Sequence, residues 1–371
     1  MKKKILAVGL TAVLAASALA GCGSSSAKET SDGSTAAASG DTYKAALLVA
    51  GTLGDKSFWD SANEGLEELK EESDGAFDFK VEQMGGGSSD QANYEPTILD
   101  YCDSGEYDVI ITGSYTTVDA LTSAIEQYPD QKFILFDEAF DYDSTDAENL
   151  YNMLFKQNEV SYLVGAEAAM MSESGIISFL GGMDGLVIND FLVGYIQGAK
   201  DTNPDIKVAV SMVGDYEDSA KGKDLSLAMY KAGADCGFNV AGSAGLGLLE
   251  AATEVDKIAF GVDSDQAALL PDYAANIPTS ALKNVGNGLK LAITKDMEGE
   301  LEYGVCESYG LAEDGVGLVK DSHYEEMVSE EIRTAIDEVE QNIKDGKIKV
   351  NSSSEMTTDE IEELKASVAV Q

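Results

Sequence analysis

The sequence predicts an α/β protein with two doubly wound lobes, each built on a parallel sheet. Short apolar segments alternate with amphipathic helical segments from Tyr43 onward, and the same alternation resumes after Asn152. Alternation of this kind places helices on both faces of a parallel sheet. Roughly 330 residues carry the pattern, which is enough for two domains of ordinary size. The hydrophobic content of 44% is that of a chain with full cores.

The first lobe is predicted from four strand segments and the helices between them. Residues 45–49 are continuously apolar, as in a buried strand, and residues 77–81 alternate, as in a half-buried one. Residues 109–111 and 133–136 are further short strands, each preceded by a helical segment. The helix after the first strand has apolar side chains three and four positions apart, at Phe58, Ala62, Leu66 and Leu69.

The second lobe repeats this rhythm. Its predicted strands are residues 176–180, 208–213, 236–240 and 258–262. Its predicted helices lie near residues 160–171, 189–200, 222–232 and 247–254. Ligands of open parallel sheets bind beyond the carboxyl ends of the strands. Two lobes therefore predict a site in the cleft between them, where those ends meet.

The first forty residues are typical of an export signal followed by a flexible tether. Three lysines precede an apolar run over residues 5–20, and Leu19-Ala20-Gly21-Cys22 then has the lipobox arrangement. We expect residues 1–21 to be a lipoprotein signal peptide and Cys22 to carry the lipid. Residues 22–40 are rich in Ser, Ala and Gly and form the predicted tether. The alternative, a membrane-spanning anchor, needs about 20 apolar residues, more than this run supplies.

The formal net charge of −42 restricts the classes of partner. So acidic a surface repels the phosphate backbone of nucleic acids and anionic lipid headgroups alike. We therefore expect no nucleic-acid partner, and we expect the acyl group at Cys22 to hold the protein at a membrane. The acidic residues are spread along the chain without EF-hand spacing, so a solubilising surface is expected rather than calcium storage.

Rare residues limit the chemistry. His323 is the only histidine and Arg333 is the only arginine. A Ser-His-Asp triad would have to use His323, and one histidine cannot build a His-based zinc site. We expect no metal, no cofactor and no catalytic residues. The cysteines beyond the lipobox lack CxxC spacing and are expected to be small buried hydrophobic residues: Cys102, Cys236 and Cys306.

Several predicted strand ends carry short motifs in a fixed order. They are Gly54-Asp55-Lys56-Ser57-Phe58, Gly181-Gly182-Met183-Asp184, Val213-Gly214-Asp215-Tyr216, Gly242-Ser243-Ala244-Gly245, Gly261-Val262-Asp263-Ser264-Asp265 and Thr279-Ser280-Ala281-Leu282-Lys283. In this order, and behind a lipobox, they resemble the basic membrane protein family of ABC-transporter substrate-binding lipoproteins, whose members include purine nucleoside receptors. The resemblance covers residues 43–350.

The resemblance implies a type I periplasmic-binding-protein fold, in which two lobes joined by crossing strands close over a nucleoside. We expect residues 41–150 plus about 275–310 to form lobe one, and residues 151–274 plus about 311–371 to form lobe two. The resemblance also implies a monomer that delivers a small-molecule ligand, a purine nucleoside, to the permease and ATPase subunits of an importer. The expected location is the extracytoplasmic face of a Gram-positive cell membrane.

A nucleoside needs aromatic rings against its base, since stacking contributes roughly 1–3 kcal/mol per base. Phe58 begins a helix in lobe one and Tyr216 follows a strand in lobe two, so one ring from each lobe would enclose the base. Phe191 is a further candidate, and Trp59 would enlarge the aromatic wall. Packing within its helix is the alternative for Phe58, and outward packing is the alternative for Trp59.

A ribose diol needs a carboxylate that accepts two hydroxyl protons. The family aspartate with this role corresponds to Asp263, whose alternative role is a helix N-cap. Lys283 would reach the 5′ side of the sugar or pair with Asp263, and Asp137 could accept protons from the base edge. Ser57, from the first motif, and Gly242, which lets backbone approach the ligand, complete the predicted ligand-binding set.

Other functions stay open from the sequence. The same fold could present a ligand to a membrane kinase as a sensor subunit, or bind a non-nucleoside, sugar-like metabolite. A nucleoside hydrolase would need clustered catalytic acids or a metal. Asp263 with Asp265 does not supply such a cluster, because side chains two residues apart at a strand end need not converge. We therefore expect a binding protein and not an enzyme.

Overall fold

The computed structural model describes residues 42–87 and 89–370. The predicted signal peptide, the lipidated Cys22 and the tether lie outside the described residues. From Tyr43 onward the chain alternates between strands and helices, as predicted. Within the described ranges, none of the helices combines the length and the apolar character that a bilayer crossing needs.

The strands are short and follow the apolar segments of the sequence. In chain order they are β1 (Tyr43–Val49), β2 (Phe77–Gln83), β3 (Val109–Gly113), β4 (Lys132–Phe136), β5 (Leu150–Phe155), β6 (Ile176–Gly181), β7 (Lys207–Met212), β8 (Cys236–Val240), β9 (Ile258–Asp263), β10 (Ser280–Lys283), β11 (Val305–Tyr309) and β12 (Val316–Leu318). The predicted strands agree with these bounds to within two residues.

The α-helices occupy the segments between the strands and the C-terminal part of the chain. They are α1 (Phe58–Glu72), α2 (Tyr94–Ser104), α3 (Val118–Gln127), α4 (Gln157–Met171), α5 (Leu186–Thr202), α6 (Ser219–Lys231), α7 (Leu246–Val255), α8 (Gln266–Leu269), α9 (Val285–Glu298), α10 (Ser322–Met327), α11 (Glu330–Lys344) and α12 (Thr358–Val368). The predicted apolar stripe of α1 is buried at Ala62, Leu66 and Leu69.

The strands form two six-stranded sheets. The first has the order β11-β5-β4-β3-β1-β2, with every neighbouring pair parallel. The second has the order β12-β10-β9-β8-β6-β7, in which only β12 runs antiparallel to its neighbour. We call each sheet, with the helices packed on it, lobe one and lobe two. Both sheets are doubly wound, which confirms the predicted α/β fold class.

The chain passes between the lobes at three places within the described residues. After β5 it enters α4, which packs against α5, β8 and β12 of lobe two. After β10 it returns to α9, which packs against α1 of lobe one. The third passage joins β11 to β12. Three connections keep the two lobes side by side, with the carboxyl ends of their parallel strands toward one cleft.

Strand pairing differs from the expected lobe boundaries in two places. Residues 151–274 are expected in lobe two, yet β5 pairs with β4 in lobe one. Residues from about 275 to 310 are expected in lobe one, yet β10 pairs with β9 in lobe two. In both cases the chain crosses only after the strand has ended. Local periodicity identifies a strand but does not reveal its sheet, because the hydrogen-bonding partner is distant in sequence.

The cysteines divide between core and surface. Cys102 and Cys236 are buried, as predicted, and burial raises the pKa of both thiols. Cys306 is exposed, so the prediction is wrong for this residue. It lies on β11 at the edge of the first sheet, where the strand is covered on fewer sides.

Candidate ligand-binding site

A cavity of about 120 Å³, partly open to solvent, lies between the two lobes. Its wall contains residues that end or follow β1, β3 and β4 in lobe one, and β8, β9 and β10 in lobe two. Eight of the nine residues predicted to bind ligand line this cavity: Phe58, Trp59, Asp137, Phe191, Tyr216, Gly242, Asp263 and Lys283. The ninth, Ser57, lies behind the wall and is fully buried.

Three charged side chains form the polar centre of the cavity. Lys283 ends β10 and is only 3% exposed. Its Nζ lies 2.7 Å from Asp137 Oδ2 and 3.9 Å from Asp263 Oδ1. Both aspartates are 7% exposed. We call these three residues the ionic cluster, in which one ammonium group faces two buried carboxyl groups.

Two carboxylate oxygens of the ionic cluster lack a hydrogen-bond donor within the described residues. Asp137 Oδ1 and Asp263 Oδ1 are buried and have no hydrogen-bond donor among the residues that the structure describes. The 3.9 Å from Lys283 Nζ to Asp263 Oδ1 is beyond hydrogen-bonding distance. A buried carboxylate oxygen without a donor is costly, because it has lost its hydration. A ligand that donates to these two atoms, which we call the open oxygens, would therefore gain affinity.

The backbone at the strand ends is left-handed. Asp137, directly after β4, has φ 65°, and Asp263, at the end of β9, has φ 63°. Ser114, directly after β3, has φ 76° and also lines the cavity. Such values cost roughly 1–3 kcal/mol for residues other than glycine, and they persist where the surrounding structure enforces them. Three of the seven non-glycine residues with positive φ in the described part of the chain therefore line the cavity.

Burial shifts the carboxyl groups of the cavity toward their neutral forms. Burial raises the pKa of Asp137 to about 6, although the neighbouring Lys283 lowers it. Burial likewise raises the pKa of Asp263, against the effects of Lys283 and Ser57. Burial and then the charge of Asp137 raise the pKa of Glu138 to about 7. A ligand that donates hydrogen bonds to these groups would favour their ionised forms.

Ser57 supports the ionic cluster from behind. Its hydroxyl donates to Asp263 Oδ2, and its carbonyl accepts a hydrogen bond of 3.3 Å from the Ser264 hydroxyl. Ser57 belongs to lobe one and Asp263 to lobe two, so this contact joins the lobes. Gln266 Nε2 adds a second such contact, at 3.2 Å from the carbonyl oxygen of Lys56. Ser57 therefore positions the aspartate instead of lining the cavity.

Five aromatic residues line the cavity, and two of them, Phe58 and Phe191, contact the ionic cluster. Lys283 Nζ is 4.8 Å from the ring centroid of Phe58 and 5.4 Å from that of Phe191, which allows cation–π contacts with both. The Trp59 indole meets Phe58 edge-on, with the centroids 5.0 Å apart. Trp59 is buried within the lobe and lines the cavity, so its alternative of packing outward is wrong.

Tyr216, like Phe191, lines the cavity from lobe two. A Cβ at Gly182 would clash with its ring, so the glycine makes room for the tyrosine. The Tyr216 carbonyl accepts a hydrogen bond of 2.8 Å from the Ala244 amide. Gly242 has φ +56°, a conformation that glycine adopts without strain. This turn brings the backbone after β8 to the cavity beside Tyr216.

Sequence reasoning missed Asp55 and Glu138 as cavity residues. Asp55 lines the cavity and accepts hydrogen bonds from the amides of Ser57, Trp59 and Asp60, so it caps the start of α1. Burial raises its pKa to about 6. Its position inside the first motif was a usable signal. Glu138 was signalled only by its adjacency to Asp137.

Ser114, Tyr115 and Met183 also line the cavity and were not predicted. Tyr115 is 41% exposed, and its hydroxyl donates to Met183 Sδ of lobe two at 3.4 Å. No sequence motif marked the loop after β3. Within residues 42–87 and 89–370, no group of three or more His, Cys, Asp or Glu side chains could hold a metal ion.

The family model for PnrA-like ABC transporter substrate-binding proteins matches residues 42–354. The chain belongs to this family. The match covers both lobes and all three passages between them. A member of the family is a substrate-binding protein of an ABC transporter and not an enzyme, so a small-molecule ligand and transporter subunits are its partners. The protein functions outside the cytoplasm.

Named relatives lie within the same family. The chain is 35% identical to basic membrane protein A of Borreliella burgdorferi over 315 residues, which cover 84% of this chain and 88% of that protein. It is 31% identical to the ABC transporter nucleoside-binding protein BmpA of Lactococcus lactis, over 95% of this chain and all of that protein.

Solved structures show the same fold. An ABC transporter solute-binding protein from Aeropyrum pernix matches with a TM-score of 0.76 and 25% identity, over 89% of this chain and all of that one. A periplasmic solute-binding protein from Actinobacillus succinogenes, with bound D-allose, matches with a TM-score of 0.59 and 16% identity, over 77% of this chain and all of that one. These likenesses confirm the type I periplasmic-binding-protein fold.

Proposed function

We propose that this protein is the lipid-anchored receptor of a nucleoside importer. It binds a purine nucleoside in the cleft between its lobes and delivers it to the permease of the same transporter. Membership of the family supports the transport role, and the Lactococcus relative is itself named as nucleoside-binding. The ligand and the residues that hold it are argued from the cavity.

The observation that carries the proposal is the pair of open oxygens beside Lys283. A ribose diol offers two adjacent hydroxyl donors, and hydrogen bonds to an ionised carboxylate are among the stronger ones in proteins. Asp263 accepts the diol, with its Oδ2 already held by Ser57. The ligand thereby supplies a donor for a buried atom, so binding removes a desolvation cost.

Lys283 and Asp137 take the 5′ side of the sugar. The sequence left two roles for Lys283, and its Nζ lies closer to Asp137 than to Asp263, at 2.7 against 3.9 Å. Asp137 is therefore part of the sugar end and not of the base edge, where sequence reasoning placed it. Its open oxygen accepts the 5′ hydroxyl.

The base occupies the aromatic part of the cavity. Phe58 from lobe one and Tyr216 from lobe two stack on it, with Trp59 and Phe191 extending the wall. Because each lobe supplies a ring, a bound base favours closure of the lobes. Stacking of this kind contributes roughly 1–3 kcal/mol per base. Gly242 lets the backbone after β8 approach the ligand.

The anchor and the cellular setting complete the proposal. Cys22 carries the lipid that keeps the protein at the outer face of a Gram-positive cell membrane, and residues 22–40 let it move near its permease. It works as a monomer with one ligand per chain. Lipidation is tested by labelling cells with a fatty-acid analogue. Wild type takes up label and C22S does not, whereas label retained by C22S excludes Cys22 as the site.

Ligand binding is tested by titration calorimetry of the soluble protein from residue 23 onward. The panel contains adenosine, guanosine, inosine, cytidine, uridine, their 2′-deoxy forms, free ribose and a panel of hexoses. We expect one site, tightest for a purine ribonucleoside, and weaker binding of the 2′-deoxy forms. Tighter binding of a hexose than of any nucleoside would replace the nucleoside by a sugar-like metabolite. Trp59 is the only tryptophan, so its fluorescence gives a second readout.

A further inference from the structure

A second cavity, of about 600 Å³ and partly open to solvent, lies beside the ligand cavity. We call it the side cavity. The loop after β4, the first turns of α4 and α5, and residues 343–355 surround it. Asp137, Glu138 and Val187 line both cavities. We call these three residues the shared wall. The proposed function uses the ligand cavity on one side of this wall but not the side cavity on the other.

The side cavity contains a buried acceptor that lacks a donor. Gln157 is 6% exposed, and its Oε1 finds no hydrogen-bond partner in the described part of the chain. Its Nε2 donates to Asp190 Oδ2 at 2.9 Å. Turning the amide round would set its oxygen against that carboxylate, so the orientation is fixed. Gln157 Oε1 and the open oxygen of Asp137 both belong to side chains on the wall of this cavity.

Asp190 itself is already satisfied. Its second oxygen accepts hydrogen bonds from the Ser352 hydroxyl, at 2.7 Å, and from the Ser353 amide, at 2.8 Å. These bonds fasten the C-terminal segment over α5 and hold Asp190 in place for Gln157. A donor group on an occupant of the side cavity would supply the hydrogen bond that Gln157 Oε1 lacks.

The charge around the side cavity disfavours an anionic occupant. Five acidic residues line it: Asp137, Glu138, Glu159, Asp190 and Glu355. The lining lysines, Lys156 and Lys349, are both paired, with Glu313 at 4.0 Å and with Glu355 at 2.9 Å. Apolar side chains complete the wall: Leu154, Phe155, Leu186, Ile348 and Val350. An occupant with an alkyl part and a hydrogen-bond donor fits this combination.

We propose that the side cavity is a subsite for an extension on the 5′ carbon of the nucleoside, one that ends in a hydroxyl or an ammonium group. The inference rests on the proposed function, which places the 5′ side of the sugar at Lys283 and Asp137. Asp137 is also part of the shared wall, so a 5′ extension passes it to enter the side cavity. The terminal donor then binds Gln157 Oε1. The protein thus accepts 5′-substituted nucleosides and rejects nucleotides.

Calorimetry with a matched set of ligands tests this inference. The set is adenosine, its 5′-O-propyl, 5′-O-(3-hydroxypropyl) and 5′-O-(3-aminopropyl) ethers, and adenosine 5′-monophosphate. The propyl ether should bind about tenfold more weakly than adenosine, because the 5′ donor to Asp137 is lost. The two ethers with a terminal donor should recover that tenfold. Equal binding of the hydroxyl and ammonium ethers would support Gln157 Oε1 as the acceptor, whereas tighter binding of the ammonium ether would overturn that assignment in favour of the carboxylates.

Two variants assign any recovered affinity to the side cavity. Gln157→Leu should remove the recovery while leaving adenosine within about twofold. Ser308→Trp fills the cavity from an exposed position and should exclude all three ethers but not adenosine. Ser322→Trp is the matched control, since Ser322 is also exposed and lines neither cavity. Thermal unfolding of each variant confirms that it is folded.

Three kinds of result would overturn the inference. If adenosine binds but the donor-bearing ethers bind no better than the propyl ether, the side cavity holds only water. If adenosine 5′-monophosphate binds as tightly as adenosine, the charge argument fails. If adenosine and the other nucleosides do not bind at all, the proposed function is lost and this inference with it, so the two failures are distinguishable.

Discussion

Two buried carboxylate clusters in this protein differ in whether all of their oxygens accept hydrogen bonds. Asp296, on α9 in lobe one, is 6% exposed and accepts from three donors: Lys132 Nζ at 2.6 Å, the Tyr303 hydroxyl at 2.9 Å and the Tyr43 hydroxyl. Both of its oxygens are occupied. In the ionic cluster, Asp137 and Asp263 share one lysine, and each keeps an open oxygen.

The position of each cluster explains the difference. Tyr43 and Lys132 begin β1 and β4, so the Asp296 cluster lies at the amino ends of the strands. Asp137 and Asp263 lie at the carboxyl ends, where parallel sheets bind ligands. A closed cluster stabilises the fold because every buried polar atom is satisfied. The ionic cluster is less favourable for stability, because two of its carboxylate oxygens lack a donor among the residues described. A bound ligand can supply those hydrogen bonds.

The largest expected effect is on ligand affinity. Asp263→Ala should weaken nucleoside binding by about a hundredfold or more, because two hydrogen bonds to a charged group, roughly 1.5–3 kcal/mol each, are lost. Calorimetry measures the affinity. Asp263→Asn keeps the shape of the side chain without its charge, and its affinity should lie between those of the wild type and Asp263→Ala. If Asp263→Ala binds within threefold of the wild type, the ionic cluster does not hold the ribose.

Asp296→Ala should show the reverse pattern. Removing a fully occupied acceptor should lower the free energy of unfolding by about 3 kcal/mol, since two tyrosine hydroxyls lose their partner. Urea denaturation measures this loss, and nucleoside affinity should stay within about twofold. Asp263→Ala is the matched control and should cost less stability, because that carboxylate is only partly satisfied. An equal loss of stability in both variants would contradict the distinction between the clusters.

Nucleoside affinity should depend on pH through Asp137 of the ionic cluster. Burial raises the pKa of Asp137 to about 6, and ligand hydroxyls that donate to its carboxylate favour the ionised form. Affinity should therefore be highest above pH 6 and should fall by up to about tenfold per unit below it, with proton release on binding. Calorimetry in two buffers of different ionisation enthalpy detects that release. Asp137→Asn should flatten the profile, and an unchanged slope would assign it to another carboxyl group.

The smallest effects concern the hydroxyl groups that support each cluster. Ser57→Ala removes the donor to Asp263 and should weaken nucleoside binding about fivefold, equivalent to about 1 kcal/mol. Tyr303→Phe removes one donor to Asp296 and should lower the free energy of unfolding by about 1 kcal/mol without changing affinity. For both variants, calorimetry measures the affinity and urea denaturation measures the free energy of unfolding. A loss of affinity in Tyr303→Phe would show that the clusters are coupled.

Much of the fold was predictable because its signals are local. Strands and helices follow from apolar periodicity over five to fifteen residues, as in β1 and α1. The strand-end residues that line the cavity were predictable for the same reason, since Asp137, Asp263 and Lys283 directly follow or end apolar segments. The shared order of the motifs then indicated the family, which the family match confirms.

The sequence by itself determined the fold class, the family and the candidate wall of the cavity, all of which depend on residues near one another in the chain. Only the tertiary structure decided which strands pair and which side chains are in contact. It placed β5 in the first sheet and β10 in the second, joined Lys283 to Asp137 across 146 positions, and set Ser57 behind Asp263. It also left two carboxylate oxygens open. Such pairings are made between distant segments, so no local pattern can encode which buried oxygen lacks a donor.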